Sequence, residues 1–187
     1  RQLFADLNPR GRRVPLNISQ DFDRSDAVNV FIKDVLIDGG YLGFEPITSG
    51  TDEKNWKDDT GGILRKDLNP ITCFALLGKQ SSKGSNPEMI EQRKLQAINF
   101  WAAVNKIKDF GKPGAKSKTV AAQTVVLKGI AKLLFDLGYG TRTVRNQEHY
   151  QELLELIAKN KIDFSHKNKL WGSLTLNTLD RKHRFKK

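Results

Sequence analysis

KPGAKSKTVAAQTVVLKGIAKLLFDLGYGTRTVR, residues 112–145, is the stretch on which the reading of the fold turns. At about 100° per residue, Val126, Ile130, Leu133 and Leu137 fall on one stripe, with Val120, Leu127, Ala131 and Leu134 on its shoulder. The spacing predicts a core helix over roughly 117–137, with Gly138 and Gly140 ending it in the left-handed conformation that glycine tolerates. Lys112, Lys116 and Lys118 precede this helix, and Arg142 and Arg145 follow it. A buried helix between basic loops predicts an anion-binding surface. Taken singly, each of these cations is more simply a solvated loop residue.

Working outward, Asn86-Pro87-Glu88 reads as a helix start: an amide cap, a proline at the first position and an acid in the first turn. That helix is expected to run to about Phe110, with Ile90, Ala97, Trp101 and Val104 as its buried stripe and Trp101 in the core. Asn146 caps a third long helix over 147–159, which buries Tyr150, Leu153, Leu154 and Ile157. A shorter helix over 26–38, capped by Ser25 and closed by Gly39-Gly40, is expected to bury Val28, Phe31, Ile32 and Val35. Residues 41–69 are the least regular, with a short strand expected near 41–47. The apolar run 71–77 fits either a strand or a buried helix. From Ile162 to Leu176, apolar and polar residues alternate and predict extended chain. The fold class expected is mainly α, a single helical domain over 1–187 with minor β elements, ending in a basic tail at 181–187.

The composition narrows the function. The 187 residues carry 32 Lys+Arg against 21 Asp+Glu, a net charge of +11, which calls for a polyanionic partner, most often nucleic acid. With 38% hydrophobic residues, three Trp and ten Phe, the chain can build a core. Cys73 is the sole cysteine, which excludes an internal disulfide and fits a reducing, cytoplasmic setting. No apolar run approaches the roughly 20 residues a membrane span needs, and no stretch of these residues reads as a signal peptide. The chain opens at Arg1 inside what reads as an ordered element, and is expected to be a fragment of a longer protein.

Catalytic signatures are absent. His149, His166 and His183 are isolated, with no partner at metal-ligand spacing, and no GxSxG or Cys-His arrangement occurs. Asp21, Asp23 and Asp26 lack the glycine and distal glutamate of a calcium loop. The GKPGAKS run at 111–117 echoes a phosphate-binding loop but misses the GxxxxGK[ST] spacing and follows a helix where a strand is required. The KQSSKGS loop at 79–85 offers hydroxyls and lysines to a phosphate, a composition that is also ordinary for a surface loop. No metal or cofactor is expected.

Several stretches together resemble one family. In RQLFADLNPRGRRVPLNISQDFDRSD, Phe4, Asp6, Leu7 and Asn8 fit the lF-x-D-[IL]-N block found downstream of the DGQHR motif in DGQHR-domain proteins. Asp23, Arg24 and Asp26 are similar to the DndB-type version from DNA sulfur modification, as are residues 118–134, 162–171 and 174–179. The DGQHR motif itself does not occur in these residues and is expected upstream. The resemblance implies a ParB/sulfiredoxin-like α/β N-terminal part followed by a helical part. Residues 1–20 would continue that upstream domain. It also implies a DNA-binding transcriptional regulator of a phosphorothioation system.

Two functions follow as expectations. In the first, a regulatory or accessory protein binds duplex DNA, and works with other proteins of the modification system. Arg10, Arg12, Arg13, Lys116, Lys118, Arg142, Arg145, Lys167, Lys169 and Arg181 would make its phosphate contacts. In the second, a ParB-like nucleotide-hydrolysing or DNA-nicking enzyme has its catalytic half upstream, with Asp6 and Asn8 as candidate catalytic residues. A third reading is a lobe that docks on acidic patches of a partner protein.

Overall fold

Leu68, Ile71, Thr72, Cys73, Ala75 and Leu76 are all 0–1% exposed, and they belong to one helix around which the others pack. The computed structural model describes residues 24–46, 63–139 and 147–174. Its elements are α1 (Ala27–Phe31, continued by a π-helical turn Ile32–Ile37), α2 (Arg65–Leu77), α3 (Pro87–Val104) and α4 (Ala115–Lys118). A 3-10 turn (Val120–Ala122), α5 (Thr124–Tyr139), α6 (Gln147–Ala158) and α7 (Lys169–Leu174) follow. Helix α2 touches α1, α3 and α5, while α6 closes the far side against α3 and α5. The architecture is mainly helical. Among the described residues, β pairing between named partners is confined to a bridge joining Thr119 to Ser165.

The run 71–77 is thus helix, and it begins six residues earlier than its apolar part. Pro70 lies inside α2, where it removes the N–H that would reach back one turn. Burial of one whole helix face outweighs that loss. Two side-chain bonds lock α2 in place: Asn69 Nδ2 donates to Asn29 Oδ1 of α1 at 2.7 Å, and Trp101 Nε1 of α3 donates to Thr72 Oγ1 at 3.2 Å.

Asp26, and not Ser25, caps α1. Its Oδ1 accepts the Val28 amide at 2.8 Å, and its Oδ2 accepts the Ser82 hydroxyl at 2.6 Å. The π-turn brings the Asp38 amide to Lys33 O at 2.9 Å. One extra residue per turn rotates the face, so Leu36 is buried where α-helical spacing points to Val35, which is only partly covered. Residues 41–46 make bends in place of the expected strand.

Five further expectations change. The helix over 117–137 is broken, because Thr119 is extended (φ −133°, ψ 134°) and forms a β-bridge with Ser165, across which the Val120 amide donates to Phe164 O at 2.8 Å. Its Oγ1 accepts the Ala121 amide at 3.2 Å and donates to Phe164 O at 3.2 Å. Within α5 the shoulder residues Leu127, Ala131 and Leu134 are the buried stripe, while Leu133 is 50% exposed. Both faces of α5 are apolar, so spacing alone cannot choose between them, and packing on α2 decides. Gly138 sits inside α5 and is buried, not a left-handed stop, and Gly140 lies outside the described residues. Helix α3 ends at Val104, short of Phe110, and residues 169–174 are helical, capped by Asn168 Oδ1 on the Leu170 amide at 3.1 Å.

Cys73 is fully buried, and its thiol donates to Asn69 Oδ1 at 3.3 Å. Burial, and then the Asp26 carboxylate, push the thiol up to about 12 from an ordinary 9.0. The neutral thiol is therefore favoured by folding. Its contribution is whole below pH 9.0 and is lost as pH climbs from there towards 12. Native Cys73 is expected to be inert to a thiol-specific disulfide reagent at pH 8 and to react fully in denaturant. Equal rates in both conditions would contradict its burial.

Candidate nucleic-acid interface

The candidate catalytic and phosphate-contacting residues read from the sequence fall in two groups. Asp6, Asn8, Arg10, Arg12, Arg13, Arg142, Arg145 and Arg181 lie outside the described residues, as do the 1–20 segment and the 181–187 tail. Lys116, Lys118, Lys167 and Lys169 are described, and the fold brings their two segments together.

Three clamps do this. After α6, Asn160 adopts a left-handed conformation (φ 53°), which asparagine tolerates better than most residues. Its Oδ1 accepts the Lys108 amide at 2.7 Å and its Nδ2 donates to Lys106 O at 2.8 Å. Next, the Val120 amide donates to Phe164 O at 2.8 Å beside the Thr119–Ser165 bridge. Last, His166 Nε2 lies 2.9 Å from Lys116 O, a contact that requires the ring to carry its proton on that nitrogen. Residues 106–119 and 160–169 therefore run side by side at one end of the bundle.

The second segment is held stiffly. Trp171 Nε1 donates to Asp163 O at 2.8 Å, and Asn168 Nδ2 donates to the same oxygen at 2.9 Å. The Trp171 ring stacks on Phe164 with centroids 5.6 Å apart and planes at 14°. A loop pinned in this way carries its lysines at little further entropic cost.

The charge of this end is decided by its sequence. Residues 106–118 hold five lysines and one aspartate, and residues 159–169 hold four lysines and one aspartate. Lys159 is paired with Glu155 at 2.6 Å. Lys106, Lys108, Lys118, Lys161, Lys167 and Lys169 are exposed, and Lys116 is half-buried. Asp163 accepts the Ser165 amide at 2.8 Å, which turns its carboxylate inward to its own loop. Between the segments lies a cavity of about 320 Å³, with Ile107, Ile162 and Phe164 in its lining beside Lys108, Lys118, Asp109 and Asp163, so the anion surface is the row of exposed lysines and not this cavity. Lys106, Lys108 and Lys161 are absent from the anion contacts read from the sequence. The dense lysines of KIKDFGK at 106–112 were the available signal.

Other anion candidates fare worse. The 79–85 loop bonds to itself: Lys79 Nζ donates to Lys83 O at 3.0 Å, and the Lys83 amide donates to Ser81 Oγ at 3.1 Å. Its neighbouring cavity of about 400 Å³ is lined by the Asp26 carboxylate, which repels an anion. The 111–117 run leads into α4, which is only four residues long. Among the described residues, no group of three or more His, Cys, Asp or Glu is placed to hold a metal ion, and no helix is long and apolar enough to cross a membrane.

No curated protein and no solved structure matches this chain. The family model described as DndB, DNA-sulfur modification-associated, matches residues 1–184, and on that match the chain belongs to the DndB family.

Proposed function

We propose that the chain is a DNA-binding regulatory or accessory protein of a DNA phosphorothioate modification system, and that it docks duplex DNA on its basic end. The family ties the chain to DNA sulfur modification. The observation that carries the DNA reading is the clamping of the Lys116–Lys118 segment beside the Lys167–Lys169 segment in a chain of net charge +11. Two lysine-bearing loops fixed side by side match the phosphates of a duplex, which set one negative charge per about 1.7 Å of helix axis. Arg10, Arg12, Arg13, Arg142, Arg145 and Arg181 would add phosphate contacts in this reading. These contacts position the protein without reading sequence.

Fluorescence anisotropy with a labelled duplex across a salt series tests this. The log of the binding constant is expected to fall with log salt by about 0.9 per neutralised phosphate. Charge reversal of Lys116, Lys118, Lys167 and Lys169 together should weaken binding at low salt and flatten that slope by about 3 to 4. Preference for a promoter-like duplex over a scrambled one supports a regulator, and equal binding supports an accessory DNA surface. No binding at moderate salt overturns the reading.

A further inference from the structure

A second cavity, of about 190 Å³, lies where α3, α5 and α6 meet. Its chemistry differs from that of the basic end. Gln92, Gln96 and Asn99 contribute from one face of α3 at spacings of four and three. Tyr139 and Gly138 enter from the end of α5, and Gln147 and Tyr150 from the start of α6. Among the described residues, no charged side chain lines it. Four carboxamides and two phenols converge on a space below the about 300–1,000 Å³ of drug-sized ligand sites.

Gln96 is the anomaly. It is 7% exposed, and among the described residues neither Nε2 nor Oε1 has a hydrogen-bond partner. A buried amide left unsatisfied costs about 1–3 kcal/mol. Leucine at this helical position would avoid that cost, and the amide is open to a partner that satisfies it. Gly138 lies against it, where an added Cβ would come into ordinary contact with Gln96 Nε2 at 3.4 Å. The walls are fixed as well. The Arg93 guanidinium lies 4.5 Å from the Tyr139 ring centroid, on a side chain also bonded to Leu76 O at 3.1 Å. Burial, and then the neighbouring Tyr139, push the Tyr150 hydroxyl up to about 12, so it keeps its proton and donates.

We infer that this cavity binds one unstacked nucleobase, its edge paired to the Gln96 carboxamide and its ring held between the tyrosines. A carboxamide sets a donor beside an acceptor, the pattern that pairs with adenine at N6 and N7. Aromatic side chains supply a stacking surface for any base. A sugar would also suit amides and tyrosines, but this family's chemistry concerns DNA, and that favours a base. The base comes either from a free nucleotide or from a DNA strand. The inference does not depend on the basic end.

Titrating the full chain with adenosine, while following side-chain amide signals by NMR, decides it. Adenosine is expected to shift the Gln92, Gln96, Asn99 and Gln147 amide signals, and ribose 5-phosphate to leave them in place. Gln96→Leu should weaken adenosine binding about tenfold or more. The same variant should unfold at the same or a higher temperature, because an unsatisfied amide has gone. A merely structural glutamine would give the opposite pattern. A duplex with one unpaired adenine, bound more tightly than its fully paired control and losing that advantage in Gln96→Leu, identifies DNA as the source. Equal affinity for the two duplexes, with adenosine still bound, identifies a free nucleotide. Amide signals unmoved by adenosine, or moved equally by ribose 5-phosphate, overturn the inference. The four-lysine variant separates the two proposals, since it should lose duplex binding and keep the adenosine shifts.

Discussion

Trp101→Ala is expected to destabilise the fold by about 3–5 kcal/mol, a large share of the roughly 5–15 kcal/mol that keeps a domain folded. The indole is 0% exposed, and is the largest fully buried side chain among the described residues. It contacts Phe100 edge-on at 5.1 Å and Phe44 at 6.1 Å, and Phe44 in turn meets Phe110 at 5.5 Å. Alanine would empty the junction of α2 and α3 and loosen the chain after α1 that carries Phe44. It would also strip Thr72, itself 0% exposed, of the donor on its hydroxyl. Trp101→Phe separates these effects, because it keeps most of the ring and removes the N–H. Its expected cost is about 1–2 kcal/mol. Urea unfolding of the three proteins checks both numbers. A Trp101→Ala midpoint within about 1 kcal/mol of the parent would mean that the indole is not the keystone of this junction.

How much of this was legible follows from the kind of signal each element sends. Helix α3 announces itself locally, through Asn86, Pro87 and Glu88, and its stripe Ile90, Ala97, Trp101 and Val104 is buried as spacing requires. Helix α6 buries Tyr150, Leu154 and Ile157 for the same reason. Helix α2 hides its first half, because Arg65 and Asn69 are polar residues on the buried side and Pro70 reads as a break. Helix α5 carries two apolar faces, so its periodicity fixes a helix without fixing which side is inward. The clustering of the lysines was illegible, although their charge was not. It depends on hydrogen bonds from Asn160, Thr119 and His166 that span 45 to 54 residues of chain. The cavity at Gln96 sent no signal either. Glutamine, asparagine and tyrosine are unremarkable residues until three helices place them together.

Gly78→Ala is expected to cost about 2–4 kcal/mol, and the loss has two separable parts. Gly78 ends α2 in the left-handed region (φ 67°), with its amide on Phe74 O at 3.0 Å. An alanine there pays about 1–2 kcal/mol for the conformation alone. The second part is steric, since its Cβ would stand 2.3 Å from Cδ1 and Cε1 of Phe135. That ring cannot swing freely: Arg93 covers it at 5.3 Å and Tyr139 lies 5.9 Å away. Gly84 supplies the control. It too is left-handed (φ 72°), but a Cβ there meets nothing within 4 Å. Gly84→Ala should therefore show the conformational part only. Phe135→Ala should in turn relieve the steric part, so that adding Gly78→Ala to it costs no more than Gly84→Ala does. Unfolding midpoints for the cycle measure this coupling directly. Gly78→Ala should also weaken adenosine binding at Gln96, because the displaced Phe135 pushes on Tyr139, while Gly84→Ala leaves it unchanged. Equal costs for Gly78→Ala and Gly84→Ala in the parent would show that Phe135 does not pack over the end of α2.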